Sequence, residues 1–194
     1  MFARNAMMTK QAIFIALLFL VLPFTKFVAQ VESFMDSPCE EPLSSYKGVP
    51  ARSNEGYPYG SCGGTSVYGL KYQCVEYVRR FYHVVKGIDT RDDRWEGNAS
   101  TFFETAEDKG LSAFENGGTM PPRPDDIITF QGGMYGHVAV ITAVTDEYIE
   151  FIEQNLSESG VGRLPYEAAT HQVANRDVPG GKLILEGWLR PQSG

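Results

Sequence analysis

Apolar residues recur at helical spacing between positions 73 and 86. The stripe consists of Val75, Val78, Tyr82 and Val85. This pattern predicts an amphipathic helix with one face turned to a core. Gly87 follows directly, and glycine is a common end of helices because it adopts the left-handed conformation at little cost.

A second apolar pattern predicts another helix over about 98–109. Its buried face would consist of Ala99, Phe102, Phe103 and Ala106. Asn98 is a favourable N-cap, and Gly110 would end the helix.

Beyond position 120 the pattern changes from helical spacing to short runs of apolar and β-branched residues. Four strands are predicted, over 126–130, 137–144, 148–155 and 183–189. Helices followed by sequential strands indicate an α+β domain, in which the N-terminal helices pack on an antiparallel sheet.

The first thirty residues predict a targeting segment. Arg4 and Lys10 precede an apolar run over 13–24, and Lys26 follows it. The run is too short for a typical membrane span, so we interpret 1–30 as a secretory signal peptide. An uncleaved N-terminal anchor is the alternative. Residues 31–194 would form one domain, exported to the periplasm or the medium.

The overall charge restricts the partners. The 194 residues carry a formal net charge of −7 at pH 7. A binder of nucleic acid or of an anionic membrane needs a basic surface, so we expect neither partner, apart from membrane contact through an uncleaved 1–30 segment. An acidic chain is compatible with a cationic substrate. We expect a monomer.

The predicted export bears on the oxidation state of the three cysteines. Disulfides persist outside the cytosol, and an odd count leaves one thiol free. We predict a bridge between Cys39 and Cys62 and a free thiol at Cys74. The alternative is that all three are reduced.

Cys74 stands at the start of the first predicted helix, where the helix dipole favours a thiolate. A buried structural cysteine is the alternative. Three histidines could serve as its base. His83 lies nine residues further along the same helix, half a turn away and roughly 13.5 Å distant, so it cannot reach the thiol. His171 has no pattern around it, whereas His137 opens a predicted strand and is therefore our candidate.

A catalytic histidine needs a partner that fixes its tautomer. In an antiparallel hairpin, the numbers of paired residues have a constant sum. A two-residue turn makes this sum 293 (146 plus 147) and puts Glu153 on the face opposite His137. A three-residue turn makes it 292 (145 plus 147), and then Glu153 and Asn155 share the face of His137, whereas Glu150 does not. We predict the three-residue turn, with Glu153 orienting the base and Asn155 assisting. A solvent-facing Glu153 is the alternative.

Several segments together resemble the CHAP domain, the cysteine- and histidine-dependent amidohydrolases and peptidases. The similar segments are 73–81 (QCVEYVRRF), 122–128 (PRPDDII), 136–142 (GHVAVIT) and 153–155 (EQN). The last of these and 187–191 (GWLRP) most resemble the amidase domain of glutathionylspermidine synthetase/amidase. The similarity covers roughly residues 45–191.

This resemblance implies a papain-like fold of the CHAP/NlpC-P60 type. It also implies that Cys74 is the nucleophile, His137 the general base, Glu153 the orienting acid and Asn155 a neighbouring polar group. The reaction would be hydrolysis of an amide through a thioester, with no metal or other cofactor. Arg52, Asn54 and Tyr57 are candidates to line the cleft.

The substrate depends on which feature is given more weight. Export favours peptides of peptidoglycan, which we prefer. The motifs favour a glycyl–polyamine amide such as glutathionylspermidine. A CHAP domain that binds such a ligand without cleaving it is a further alternative.

Overall fold

The computed structural model describes residues 39–54 and 59–192. The predicted targeting segment 1–30 and Tyr57 lie outside these residues. Within the described part, no helix is long and apolar enough to cross a membrane.

The domain is built mainly from antiparallel strands. In chain order they are β1 (Pro42–Tyr46), β2 (Val49–Arg52), β3 (Thr65–Ser66), β4 (Gly69–Leu70), β5 (Leu111–Glu115), β6 (Ile127–Gln131), β7 (His137–Val144), β8 (Tyr148–Ile152), β9 (Val161–Glu167), β10 (Gln172–Val173), β11 (Arg176–Val178) and β12 (Gly181–Pro191). The main sheet has the order β10-β9-β8-β7-β6-β12-β11, and β5 also pairs with β12. β1 with β2, and β3 with β4, form two small separate hairpins.

The first predicted helix is confirmed as α1 (Cys74–Lys86). Gly87 ends it in the left-handed conformation, and its N–H donates to Tyr82 O. The buried face of α1 packs on β7 and β8, where Phe81 joins one core cluster with Val140 and Ile152. α1 thereby brings its first residue to the sheet.

The second predicted α-helix is wrong. Only short 3-10 turns form there, at Ala99–Thr101 and Glu107–Lys109. Asn98 gives no side-chain cap, and the N–H of Ser100 bonds to Tyr135 O, 2.8 Å away in the loop before β7. This tertiary bond and the short-range bonds around it replace a regular helix. Ala99, Phe102 and Ala106 are buried as expected, whereas Phe103 is only partly buried. The domain therefore has one α-helix in its described part, and not the several helices of the predicted α+β arrangement.

The four predicted strands exist: β7 has the predicted ends, and β6, β8 and β12 have shifted ends. β8 stops at Ile152, before the predicted end at 155, because the chain turns away there and Asn155 has a positive φ of 62°. The prediction omitted β5, β9, β10 and β11 of the main sheet and the two small hairpins β1–β2 and β3–β4. β9 alternates buried and exposed positions, as a strand with one face on the core does.

The β7–β8 hairpin has the predicted register near His137, but a bulge produces this register and not the predicted three-residue turn. The turn has two residues, because Thr145 pairs with Tyr148, and next to the turn the pairs sum to 293, as in Val144 with Ile149. A bulge at Thr142 then inserts one residue, so that Val140 pairs with Ile152 and the sum becomes 292. The predicted three-residue turn is wrong, but the register that it was meant to produce is confirmed where it matters.

The cysteine prediction is confirmed in the structure: Cys39 and Cys62 form a disulfide, and Cys74 is free. The bridge ties the start of the described domain to the loop that precedes α1.

Candidate active site

The thiol of Cys74 lies at the first residue of α1 and lines an open cavity of about 440 Å³. The residue before it, Gln73, has extended backbone and makes no side-chain cap to the helix. Its side chain instead donates to Gly60 O at 2.6 Å. The N–H groups of the first turn therefore have no side-chain cap from Gln73, and that of Val75 bonds to the thiol.

The environment of Cys74 favours its ionised form. Burial raises the pKa of the thiol. The charge of His137, a hydrogen bond from its ring, and bonds from the N–H groups of Val138 and Val75 lower it by more, so that the net shift is downward. A lowered pKa is what distinguishes a reactive thiol from a structural one.

His137 opens β7 and is almost fully buried. Its Nε2 lies 2.7 Å from Glu153 Oε2. Because Nε2 is engaged there, Nδ1 is the nitrogen that can exchange a proton with Cys74. Burial lowers the pKa of His137, but the charges of Cys74 and Glu153 and their hydrogen bonds raise it to about 9.

Gly136 gives the chain its entry into β7. Its φ is +69°, and a Cβ atom there would lie 2.7 Å from both Phe130 O and Ser100 N. Only glycine combines this conformation with such close packing. Gly136 therefore fixes the point at which His137 leaves the loop.

Glu153 is completely buried and is held from two sides. His137 contacts Oε2, and Arg176 of β11 donates to both oxygens, at 2.6 Å (Nη1 to Oε2) and 2.8 Å (Nη2 to Oε1). Burial raises the pKa of Glu153, but the bonds and charges of His137 and Arg176 lower it to about 2.

The two residues after Glu153 contact the start of α1. Gln154 Nε2 donates to Gln73 O at 3.1 Å and to Glu76 Oε2 at 2.9 Å. Asn155 Nδ2 donates to Gln73 Oε1 at 2.7 Å, and its Oδ1 accepts from Asn54 at 3.2 Å. The tripeptide 153–155 thus links the histidine to the residue before the thiol. Asn155 does this by holding Gln73, whereas we predicted a position beside Glu153.

Comparison with known families now adds to this geometry. The profile of the CHAP domain matches residues 53–155, just over half of the chain. This chain belongs to the CHAP domain family. It is also 36% identical over 98 residues to trypanothione synthetase of Crithidia fasciculata, a match that covers 45% of this chain and 15% of that protein.

The remaining histidines of this CHAP domain lie away from the thiol–imidazole pair. His83 Nδ1 is 3.9 Å from Oδ1 of Asp89, which lies just after the C-terminus of α1. His171 Nδ1 bonds to Gly118 O. Glu150 pairs with Arg163 on the exposed part of the sheet.

Two residues that precede α1 in the chain, Asn54 and Arg52, hydrogen-bond to residues that hold the site. Asn54 accepts from the N–H of Cys62 and donates to Gly60 O, so it joins the disulfide loop to Asn155. The N–H of Arg52 donates to Gln154 Oε1, and its guanidinium to Glu40 O.

Tyrosines and charged residues line the cavity of this CHAP domain next to Cys74. Tyr59 and Tyr135 form an edge-on pair with ring centroids 6.0 Å apart. Arg79, which is buried, and Glu96, which is exposed, lie on the same wall. The cavity can therefore contact both apolar and charged parts of a ligand.

Sequence analysis missed Arg176 and Gln154 as site residues. Gln154 stands between two residues that had been singled out, so its position in the motif was the available signal. Arg176 lies on β11, far from any motif. Three strands separate β11 from β8 in the sheet order, so only the tertiary structure brings Arg176 to Glu153.

Proposed function

We propose that this CHAP domain is a cysteine amidohydrolase that cleaves an amide bond through a thioester on Cys74. The observation that carries this proposal is the unbroken chain of contacts from the thiol through His137 to the buried Glu153. A thiol activated by a base that is itself oriented by a third group is the arrangement of nucleophilic catalysis.

The geometry gives each group a step. The Cys74 thiolate attacks the amide carbonyl, while N–H groups in the first turn of α1 are placed to stabilise the oxyanion. The imidazolium of His137 then gives its proton to the leaving amine, and the C–N bond breaks to leave a thioester. A water molecule that has lost its proton to His137 attacks the thioester and frees the acid and the thiol.

We propose that the substrate is a peptide of peptidoglycan and that the protein cleaves it outside the cytoplasm. The predicted targeting segment 1–30 supports this location. The Cys39–Cys62 disulfide agrees with it, since such bridges are rare in reducing compartments.

A second candidate substrate is a glycyl–polyamine amide. The partial similarity to trypanothione synthetase supports it, together with the resemblance of 153–155 and 187–191 to the amidase domain of glutathionylspermidine synthetase/amidase. The tyrosines and Glu96 of the cavity are groups that attract a polyamine cation.

Mass spectrometry of released products separates these substrates. Purified peptidoglycan and glutathionylspermidine would each be incubated with the protein and with the Cys74→Ala variant. New amino termini in muropeptides support the wall substrate, and free spermidine with glutathione supports the polyamine amide. Either product from Cys74→Ala, or none from the wild type although its thiol is reactive, would contradict the corresponding proposal and leave a binding module.

A further inference from the structure

Arg176 is the one guanidinium that contacts the proposed catalytic groups among the described residues. It forms a fork on Glu153, with one nitrogen on each carboxylate oxygen. It lies outside the region 53–155 that the family profile matches. No motif at the nucleophile or at the histidine therefore accounts for it.

The fork determines the plane of the Glu153 carboxylate. Oε2 accepts from both Arg176 Nη1 and His137 Nε2, and Oε1 accepts from Arg176 Nη2. A carboxylate bound by a single imidazole can rotate about its last bond, whereas one bound by two parallel N–H groups cannot. The direction of the bond to His137 thus depends on Arg176.

The charge of Arg176 completes the balance of the buried site. In its reactive state the site holds a thiolate, an imidazolium, a carboxylate and this guanidinium, which sum to zero. Glu153 is fully buried and Arg176 nearly so, with 15% of its side chain exposed. Without the guanidinium, one negative charge would remain uncompensated in the interior, which is costly.

We propose that Arg176 is a positioning residue that acts through Glu153: it fixes the carboxylate so that His137 is held against Cys74, and it supplies the charge that lets all three groups stay ionised together. Its turnover effect rests on the proposed function, but its effect on the thiol does not.

A purely structural role is the competing explanation. Arg176 also lies over the ring of Phe151, with its guanidinium carbon 5.5 Å from the centroid, and β11 pairs with β12. Loss of these contacts would lower stability and leave the ionisation of Cys74 unchanged. The test must therefore measure the thiol itself.

The pH dependence of Cys74 alkylation by iodoacetamide provides that measurement, because it follows the thiolate without any substrate. In Arg176→Gln, loss of a nearby positive charge should move the alkylation midpoint to higher pH by roughly 1 unit. Arg176→Lys retains the charge without the fork, so it should restore most of the midpoint. It also keeps the test informative if Arg176→Gln does not fold.

Arg163→Gln is the matched control, since Arg163 pairs with Glu150 on the exposed part of the same sheet. Its alkylation midpoint should equal that of the wild type. A wild-type midpoint in both Arg176 variants, with lowered stability alone, would overturn the proposal.

The second readout is turnover of whichever amide the product analysis identifies. Arg176→Lys should lower kcat with little change in KM, because the fork contacts the catalytic groups and not the ligand. If no amide is cleaved, the proposed function fails, and the alkylation result still decides the role of Arg176.

Discussion

Two buried carboxylates in this domain each accept two bonds of similar length from one arginine. Glu153 takes a fork from Arg176 at 2.6 and 2.8 Å. Asp126 takes one from Arg190 at 2.8 Å (Nε to Oδ1) and 2.7 Å (Nη2 to Oδ2). Both acids have almost no exposed surface.

The pairs differ in their third partner. Asp126 accepts from the backbone N–H of Arg123, which cannot titrate, and its pKa is raised because burial outweighs these contacts. Glu153 accepts from the ring of His137, and its pKa is lowered to about 2 in spite of burial.

Under the proposed mechanism, this difference separates a structural pair from a functional one. Asp126 and Arg190 fasten the start of β6 to β12 and have no group to pass a proton to. Glu153 and Arg176 hold a group whose protonation can change during a reaction. Each carboxylate is held by two arginine bonds, and only at Glu153 does a titratable neighbour give this contact chemical consequences.

Removing that neighbour should have the largest effect. His137→Ala turns the Glu153–Arg176 pair into a structural pair, and it should lower kcat by about 10²–10⁴-fold, the usual contribution of a general acid–base group. The measurement is amide hydrolysis with matched concentrations of folded protein. Turnover close to that of the wild type would show that His137 is not the base.

Neutralising the acid in each pair should separate stability from activity. Glu153→Gln leaves the Arg176 guanidinium without its counter-charge, so it should lower the free energy of unfolding by about 3–5 kcal/mol. Asp126→Asn should lower it by less, because burial already disfavours the ionised form of Asp126. Urea unfolding at neutral pH measures this loss.

Only Glu153→Gln should also lower turnover and thiol alkylation per folded molecule. If Asp126→Asn slows Cys74 alkylation as strongly, the two pairs do not differ in the way proposed.

The fall of activity at alkaline pH (the alkaline limb of the pH profile) should follow the deprotonation of His137. The raised pKa of His137 means that its imidazolium persists to about pH 9 and is lost above it. kcat/KM should therefore fall above that pH, by roughly tenfold per unit. In Glu153→Gln, where the carboxylate no longer favours the imidazolium, the limb should move to lower pH. A limb that stays in place would assign it to another group.

Acid unfolding should show the smallest effect. Glu153 has a depressed pKa, so its contribution to stability is present above the unfolded value near 4.5 and is lost as the pH falls towards 2. Glu153→Gln should remove up to about 1.4 kcal/mol per pH unit from the slope of stability in this window. Asp126 has a raised pKa, so its contribution has the opposite sign and begins above the unfolded value of 3.8. Asp126→Asn should therefore make stability rise more steeply with pH in that higher range.

Elements that depend on the local pattern of residues could be predicted from the sequence. α1 and Gly87 followed from helical spacing, and His137 was chosen because it opens a run of β-branched residues. Both features are set by neighbours along the chain.

Features that depend on distant contacts were not accessible in this way. The helix expected after Asn98 is replaced by turns because Ser100 bonds to Tyr135, thirty-five positions along the chain. Arg176 meets Glu153 only through the tertiary structure, since three strands separate β11 from β8 in the sheet order. The register at Glu153 was predicted correctly through a turn that does not form, since a bulge is invisible in alternation alone.

The bulge at Thr142 has a consequence for recognising other proteins with this site. It adds one residue between the histidine and the acid without changing which face either occupies. In this protein the acid follows the histidine by sixteen positions. In a protein that lacks the bulge, the same pair would be separated by one position fewer. Searches that fix this spacing would overlook it, so the alignment should allow a one-residue gap within β7.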